Sequence, residues 1–309
     1  MNKYIWNFLL TASALTGLSS CMYDKPDPNC TIGFQLKVQV DTDWLPQYDM
    51  TLSRAENEPD LVLKYQFQAY DAAGNLYRSF EVTRSDLDFN DFYVDVALHP
   101  ADYTIYAWCD YCDATTGQPL FYNSSDFNKI SLLTPYQGNS EYKDAFRGQA
   151  SVNPIVPESH VINLSRPLAK YQLLSTGLEK FENLSQILND YTIKVSYPLF
   201  VPSVFNNFTN KPVDSLTGEN FEGQLEITSD NLAILASDFI LTNGADSNVQ
   251  VSVEVYDADG NLVGNTPVFD IPLLRDRTTI VTGDFLTVSG NGNVVIDPEF
   301  NGQYNIEYK

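Results

Sequence analysis

The sequence predicts an all-β chain of two β-sandwiches in tandem, and three observations predict it. Short runs that alternate apolar and polar residues recur along the body, separated by Gly, Asn, Asp and Pro. Aromatics are plentiful: 19 Tyr and 18 Phe lie among Val, Ile and Thr, a mixture that suits pleated strands better than helices. One segment also occurs twice. Tyr65–Leu76 reads YQFQAYDAAGNL and Val251–Leu262 reads VSVEVYDADGNL, so Tyr70 matches Tyr256, Gly74 matches Gly260 and Asn75 matches Asn261. Each copy is a strand entering an Asp/Gly/Asn turn, where Gly and Asn supply positive φ.

In chain order, residues 1–20 read as a lipoprotein signal peptide. Lys3 gives the positive end, and Ile5–Leu18 gives an apolar stretch interrupted by Thr, Ser and Gly. It is too short for a membrane-spanning helix, which needs ~20 apolar residues. The stretch ends Leu18-Ser19-Ser20-Cys21, which resembles a bacterial lipobox. In such signals the peptidase cuts before the Cys, whose sulfur carries a diacylglyceryl group. Lipidation is therefore expected at Cys21, with the acyl chains inserted in membrane lipid. Two or three chains at ~0.8 kcal/mol per buried CH₂ make an anchor that does not readily release. Residues 21–30 are polar and Pro-containing, and read as a tether.

The N-terminal sandwich is expected over 31–165 and the C-terminal one over 166–309, with Pro154 and Pro157 near the boundary. Its first strand is the clearest in the chain: Ile32, Phe34, Leu36, Val38 and Val40 alternate with Gly33, Gln35, Lys37 and Gln39. A second hairpin is expected after each copy of the repeat, over Val94–Trp108 and Val268–Val281. Gly177–Leu188 could hold a short helix or an insertion between strands. Tyr304, Ile306 and Tyr308 alternate as a closing strand or as an edge offered to a partner.

Composition excludes several functions. With 18 basic against 40 acidic residues, the formal charge is −22, which phosphate backbones would repel, so no nucleic acid is expected as a partner. Two His, His99 and His160, leave little for His-based catalysis or a multi-His metal site. No nucleophile elbow, zinc helix motif, phosphate loop or dinucleotide fingerprint is present. No catalytic residue, metal or cofactor is expected.

Cys109-Asp-Tyr-Cys112 has CxxC spacing, but it ends a strand and runs into a turn, whereas a redox pair sits at a helix N-terminus. A disulfide between Cys109 and Cys112, or between Cys30 and Cys109, is the expected use. Asp257-Ala-Asp-Gly-Asn261 has the look of a calcium loop without its bidentate Glu, and reads as a hairpin turn. Trp44 and Trp108 could stack on sugars, although Trp108 on a strand suits packing better. Asp214-Ser215-Leu216 resembles a short O-glycosylation signal of Bacteroidetes exported proteins, or is plain loop.

Five further stretches are distinctive: Asp95–Trp108, Tyr142–Gly148 (YKDAFRG), Arg166–Tyr171 (RPLAKY), Tyr197–Asn207 (YPLFVPSVFNN) and Arg275–Thr287 (RDRTTIVTGDFLT). With the lipobox, they resemble Bacteroidetes fimbrillin-related lipoproteins, the group of fimbrial anchors and minor subunits. The resemblance implies transthyretin-like sandwiches, other fimbrial subunits as partners, a host or bacterial surface as adhesion target, and a lipid-anchored place on the outer membrane, at the cell surface. It also implies strand addition. In polymerising subunits of that group an early strand is removed by cleavage after an Arg, and a neighbour's strand fills the vacated groove. Here Ile32, Phe34, Leu36, Val38 and Val40 mark a strand that could be exchanged in this way, or that pairs permanently within its own domain. Arg54 is the processing site, or an ordinary loop Arg in an anchor that keeps its lipid. The other function the sequence admits is a surface lipoprotein that captures glycans, whose mark would be exposed aromatics on one sandwich face.

Overall fold

The computed structural model describes residues 30–41, 60–87, 89–156, 159–180, 190–228, 232–244, 247–286, 294–296 and 303–308, the last two by backbone. It is almost entirely β, as the alternation predicts. Cys21, Trp44 and Arg54 lie outside the described residues.

The first half carries β1 (Ile32–Val40), β2 (Leu61–Asp71), β3 (Leu76–Arg84), β4 (Phe92–Leu98), β5 (Tyr103–Asp113), β6 (Tyr122–Asn123), β7 (Ile130–Leu132), β8 (Ala145–Val152) and β9 (His160–Ser165). Seven of these form one sheet in the order β3-β2-β5-β8-β9-β1-β4. The seam between β8 and β9 is only two residue pairs wide, Arg147↔Ser165 and Gly148↔Leu164. There the sheet folds over, so that β3-β2-β5-β8 faces β9-β1-β4. Gly148 permits the close approach, because a Cβ at that position would stand 2.5 Å from Asn163 O. Period-two side chains from both layers fill the space between, among them Leu36, Val38, Tyr65, Phe67, Val94, Ile105, Phe146 and Ile162.

The second half carries β10 (Leu168–Ser175), β11 (Thr192–Asn206), β12 (Lys211–Glu222), β13 (Glu226–Ile227), β14 (Ala233–Leu241), β15 (Ser247–Tyr256), β16 (Leu262–Asn265), β17 (Phe269–Leu273), β18 (Thr278–Gly283), β19 (Val294–Ile296) and β20 (Gln303–Tyr308). One layer runs β13-β14-β10-β18-β20-β19. The other runs β16-β15-β11-β7-β6, with β12 on the free side of β11 and β17 on β15. Here the excursion after β5 leaves its own sandwich, and β7 pairs with the far end of β11 through Ser131↔Val204 and Ile130↔Phe205. β20 is an interior strand, parallel to β18 and antiparallel to β19.

The two halves share a topology, but not in the register of the sequence repeat: β3-β2-β5-β8 over β9-β1-β4 is answered by β12-β11-β15-β17 over β18-β10-β14, so β2 corresponds to β11 and β15 to β5, and the repeated segment lies on non-equivalent strands. β1 lies between an antiparallel neighbour, β4, and a parallel one, β9. β10 lies likewise between antiparallel β14 and parallel β18. The repeated turns match bond for bond. Asn75 N donates to Asp71 Oδ1 at 2.8 Å, and Asn261 N to Asp257 Oδ1 at 2.8 Å, with Gly74 and Gly260 at φ 81° and 78°. The Asp257 carboxylate is thus engaged by its own turn.

The second hairpin of each copy does not form. β4 pairs with β1, while β5 pairs with β2 and β8. Equally, β17 pairs with β15, and β18 with β10 and β20. The chain arches from one layer to the other at these points. Strand-turn-strand chemistry reads the same for an arch as for a hairpin. In Gly177–Leu188, Leu178–Lys180 is a 3-10 turn, and 181–189 lies outside the described residues.

Candidate interaction site

β1 is tied on both sides. Its apolar row packs inward, with Leu36 and Val38 sealed from solvent and Phe34 and Val40 partly buried against the core. The Phe34 ring meets His160 edge-on, with centroids 4.9 Å apart. Its polar row faces outward and grips β4: Lys37 Nζ lies 2.7 Å from Asp91 Oδ2, Gln39 donates to Asp91 at 2.8 Å, and Gln35 to Asp95 at 3.2 Å. The bond from Lys37, then that from Gln39, holds the Asp91 carboxyl below its ordinary range. His99 Nδ1 donates to Cys30 O at 2.5 Å just ahead of the strand.

The other expected positions are quickly placed. Cys109 and Cys112 are both free and buried, so neither expected disulfide of Cys109 forms. Three residues apart on extended β5, the two thiols of the CxxC sequence point to opposite faces. Cys109 joins the first core, where burial pushes its thiol well up. Burial first, then the neighbouring Asp110, pushes Cys112 up to about 12. Neither is a ready thiolate. Trp108 is sealed in a third apolar cluster with Tyr122, Phe127, Phe205 and Phe239, which joins the halves, so it is no sugar platform. Ser215 is exposed on β12 rather than on a loop. Among the described residues no group of three or more His, Cys, Asp or Glu is placed to hold a metal.

A buried polar clasp also spans the halves. Lys143 Nζ donates to Asp238 Oδ1 at 2.7 Å and to Tyr136 Oη at 2.9 Å. Asp238 Oδ2 accepts from Tyr136 and Tyr197, each at 2.6 Å, and Tyr171 Oη lies 2.6 Å from Tyr197 Oη. Burial lowers the Lys143 pKa, opposed by Asp238, and raises those of all three tyrosines. A cavity of only ≈ 10 Å³ lies beside Tyr136 and Lys143, and the Lys/Tyr/Asp cluster ties the interior of the two halves together. Nearby, Arg166 forks onto Asp144 at 2.6 and 2.5 Å and reaches Asp276 at 3.1 Å. Arg147 donates to Asn207 Oδ1 and O at 3.1 and 2.8 Å.

Fold and site together define a two-sandwich β protein, its halves fixed by an apolar and ionic joint and its first strand inserted between two others. The chain belongs to DUF6562, a family of unknown function, whose model matches residues 29–309. The description of that family names no fimbrial role, while proteins of the fimbrial group that the motifs resemble stand among the solved structures below. No curated protein matches the chain. Solved structures of similar fold include a Bacteroides thetaiotaomicron protein of the DUF1812 group, described as a candidate polysaccharide-binding protein. It is 18% identical at TM-score 0.48, over 75% of this chain and 79% of that one. The fimbrial anchor protein Mfa2 of Porphyromonas gingivalis is 13% identical at TM-score 0.42, over 90% and 95%. The tip fimbrial protein Mfa3 of the same organism, truncated at its C-terminus, is 12% identical at TM-score 0.41, over 79% and 81%.

Proposed function

We propose that this protein is a lipid-anchored component of the outer cell surface that joins or anchors a fimbria and supports adhesion. Acyl chains on Cys21 hold it, and β-strand addition connects it to other fimbrial subunits. Shared fold at this level of similarity transmits no role. The weight rests on the sequence motifs and on one observation: β1 is a separable insert. Among the described strands it alone bridges β9 and β4, and it is joined to β2 through 42–59, which contains Arg54. Taking it away leaves two facing rows of unpaired backbone groups and an apolar slot where Leu36 and Val38 lay. A neighbour's strand with the same alternation fits that slot.

The test is purification of the native complex from outer membranes, with and without Cys21→Ser. The wild-type chain is expected in the membrane fraction with other two-sandwich subunits, and the variant is expected to be released. Membrane retention of Cys21→Ser removes the anchor from the reading, and a chain recovered without any subunit partner removes the fimbria.

A further inference from the structure

We propose that the outward face of β1 and β4 binds a neutral oligosaccharide, with Tyr93 as its stacking platform. Tyr93 is 61% exposed, unusually bare for a large aromatic on a strand. It stands opposite Lys37 on the outer side of the sandwich. Two pairs further along, Gly33 faces Ala97, so the sheet there carries no side chain taller than a methyl group. The gap is a trough of ≈ 440 Å³ whose floor is Gly33 and Ala97 and whose walls include Gln35, Asp95 and Arg78. Tyr93 and Ala97, four residues apart, are separated by roughly 13–14 Å along the strand. An aromatic ring followed by a trough with a carboxamide, a carboxylate and a guanidinium suits a chain of sugar rings. The ring face takes a pyranose C–H face, and the planar polar groups take paired hydroxyls.

Charge selects the ligand class. Lys37 and Arg78 offset Asp91 and Asp95, so this face is locally balanced on a chain of formal charge −22. An anionic polymer would be repelled by the body as a whole, whereas a neutral polyhydroxylated one meets no such barrier. The edge of β4 argues against an added peptide strand. Arg78, from β3 in the opposite layer, donates to Ala97 O at 2.7 Å and so occupies a carbonyl that strand addition would need. At the other end Arg84 lies over the Phe92 ring, 4.4 Å from its centroid. Both ends of this edge are guarded, which leaves its outward face for a ligand.

Isothermal titration calorimetry tests this with the full chain in detergent. The probes are neutral hexasaccharides of glucose, mannose and xylose, with polygalacturonate as the anionic comparison. At least one neutral hexasaccharide is expected to bind, and Tyr93→Ala is expected to weaken it roughly tenfold. Gly33→Val fills the trough and is expected to weaken binding similarly. A Cβ at Gly33 meets nothing within 4 Å, so the fold should tolerate it, with an unchanged melting temperature as the control. Should Gly33→Val lower that temperature, the exposed Tyr93 carries the test alone. The proposal is overturned if no neutral hexasaccharide binds, if polygalacturonate binds as well as they do, or if Tyr93→Ala binds like the wild type. None of these outcomes bears on membrane retention or on fimbrial partners.

Discussion

Lys143 Nζ stands 2.7 Å from Asp238 Oδ1, with the two side chains 1% and 0% exposed, and the residues come from opposite halves of the chain. Burying either charge alone would cost several kcal/mol. The pair persists because every neighbour is arranged around it: two tyrosine hydroxyls and the Phe239 N–H saturate the carboxylate, and the Tyr136 ring lies 4.0 Å from the ammonium. Such a centre adds specificity to an apolar joint, because a shifted arrangement of the halves would leave charges buried and unpaired.

Removing one member of this pair is therefore the severe change. Asp238→Asn or Lys143→Met should each lower stability by about 3–5 kcal/mol, since each strands the other partner. The double variant should lose less than the sum of the two. Urea unfolding at neutral pH reads both, and strict additivity would show that the groups do not act as one unit.

Asp110 gives a pH signature. Its Oδ2 accepts from Trp108 Nε1 at 3.1 Å, but its Oδ1 is buried without a partner, and burial pushes its pKa up to about 7. Trp108 and Lys64 oppose the rise, and Cys112 faces the same side. The folded protein holds this proton more firmly than the unfolded one, so stability should fall as pH rises from ~4 to ~7 and level off above. Asp110→Asn keeps an acceptor for Trp108 and should flatten that slope, raising stability at pH 8 by up to about 4 kcal/mol. Melting curves between pH 4 and 8 measure it; an unchanged slope in the variant assigns the effect elsewhere.

The strands and the repeated turn were legible because both are local: alternation fixes which face is buried, and an Asp-x-x-Gly-Asn turn closes on itself, wherever in a sandwich its strand lies. The motifs around Lys143, Arg166 and Tyr197 stood out as sequence, and the structure gives them a shared physical task, the joint between the halves, whereas Arg275 ties Asn210 and Thr242 within the second half. Their role was not legible, because it exists only when Lys143 meets a strand 95 positions away. Asp238 was missed, yet it left a signal. A lone acid inside the apolar run Ala233–Leu241, every residue of which is buried, must find a partner. Asp110 within Tyr103–Asp113 is the same signal, less completely answered. The hairpins failed for a different reason: turn residues say that the chain reverses, not whether it returns to its neighbour or crosses to the facing layer.

Gly148 should be intolerant of any side chain. Its Cβ would meet a backbone oxygen and the Leu164 side chain, each at 2.5 Å, at the two-residue backbone seam that joins the two layers of the first sandwich. Gly148→Ala should cost about 1–3 kcal/mol through forced backbone displacement. Gly33→Ala, in the same sandwich but over open space, serves as the control and should be neutral. Equal melting temperatures for the two variants would mean that the seam opens without cost.

Removal of β1 supplies the sharpest test of strand addition. Leu36 and Val38 contribute roughly 1.5–3 kcal/mol each on burial, and the partly buried Phe34 and Val40 add less. Fixing nine residues costs about 1–2 kcal/mol each, so side chains alone do not hold the strand. The remainder comes from backbone pairing on two sides, which a neighbour's strand would reproduce. A chain beginning at Ala55, the product of cleavage after Arg54, should therefore melt earlier and self-associate through the vacated groove. A synthetic peptide spanning Ile32–Val40, added in excess, should restore both the melting temperature and the monomer. The same peptide carrying Leu36→Asp and Val38→Asp should not, because an unpaired carboxylate cannot enter that core. Size-exclusion chromatography and thermal melting read the outcome together. A shortened chain that stays monomeric, melts like the whole protein and ignores the peptide would remove β1 from any part in assembly.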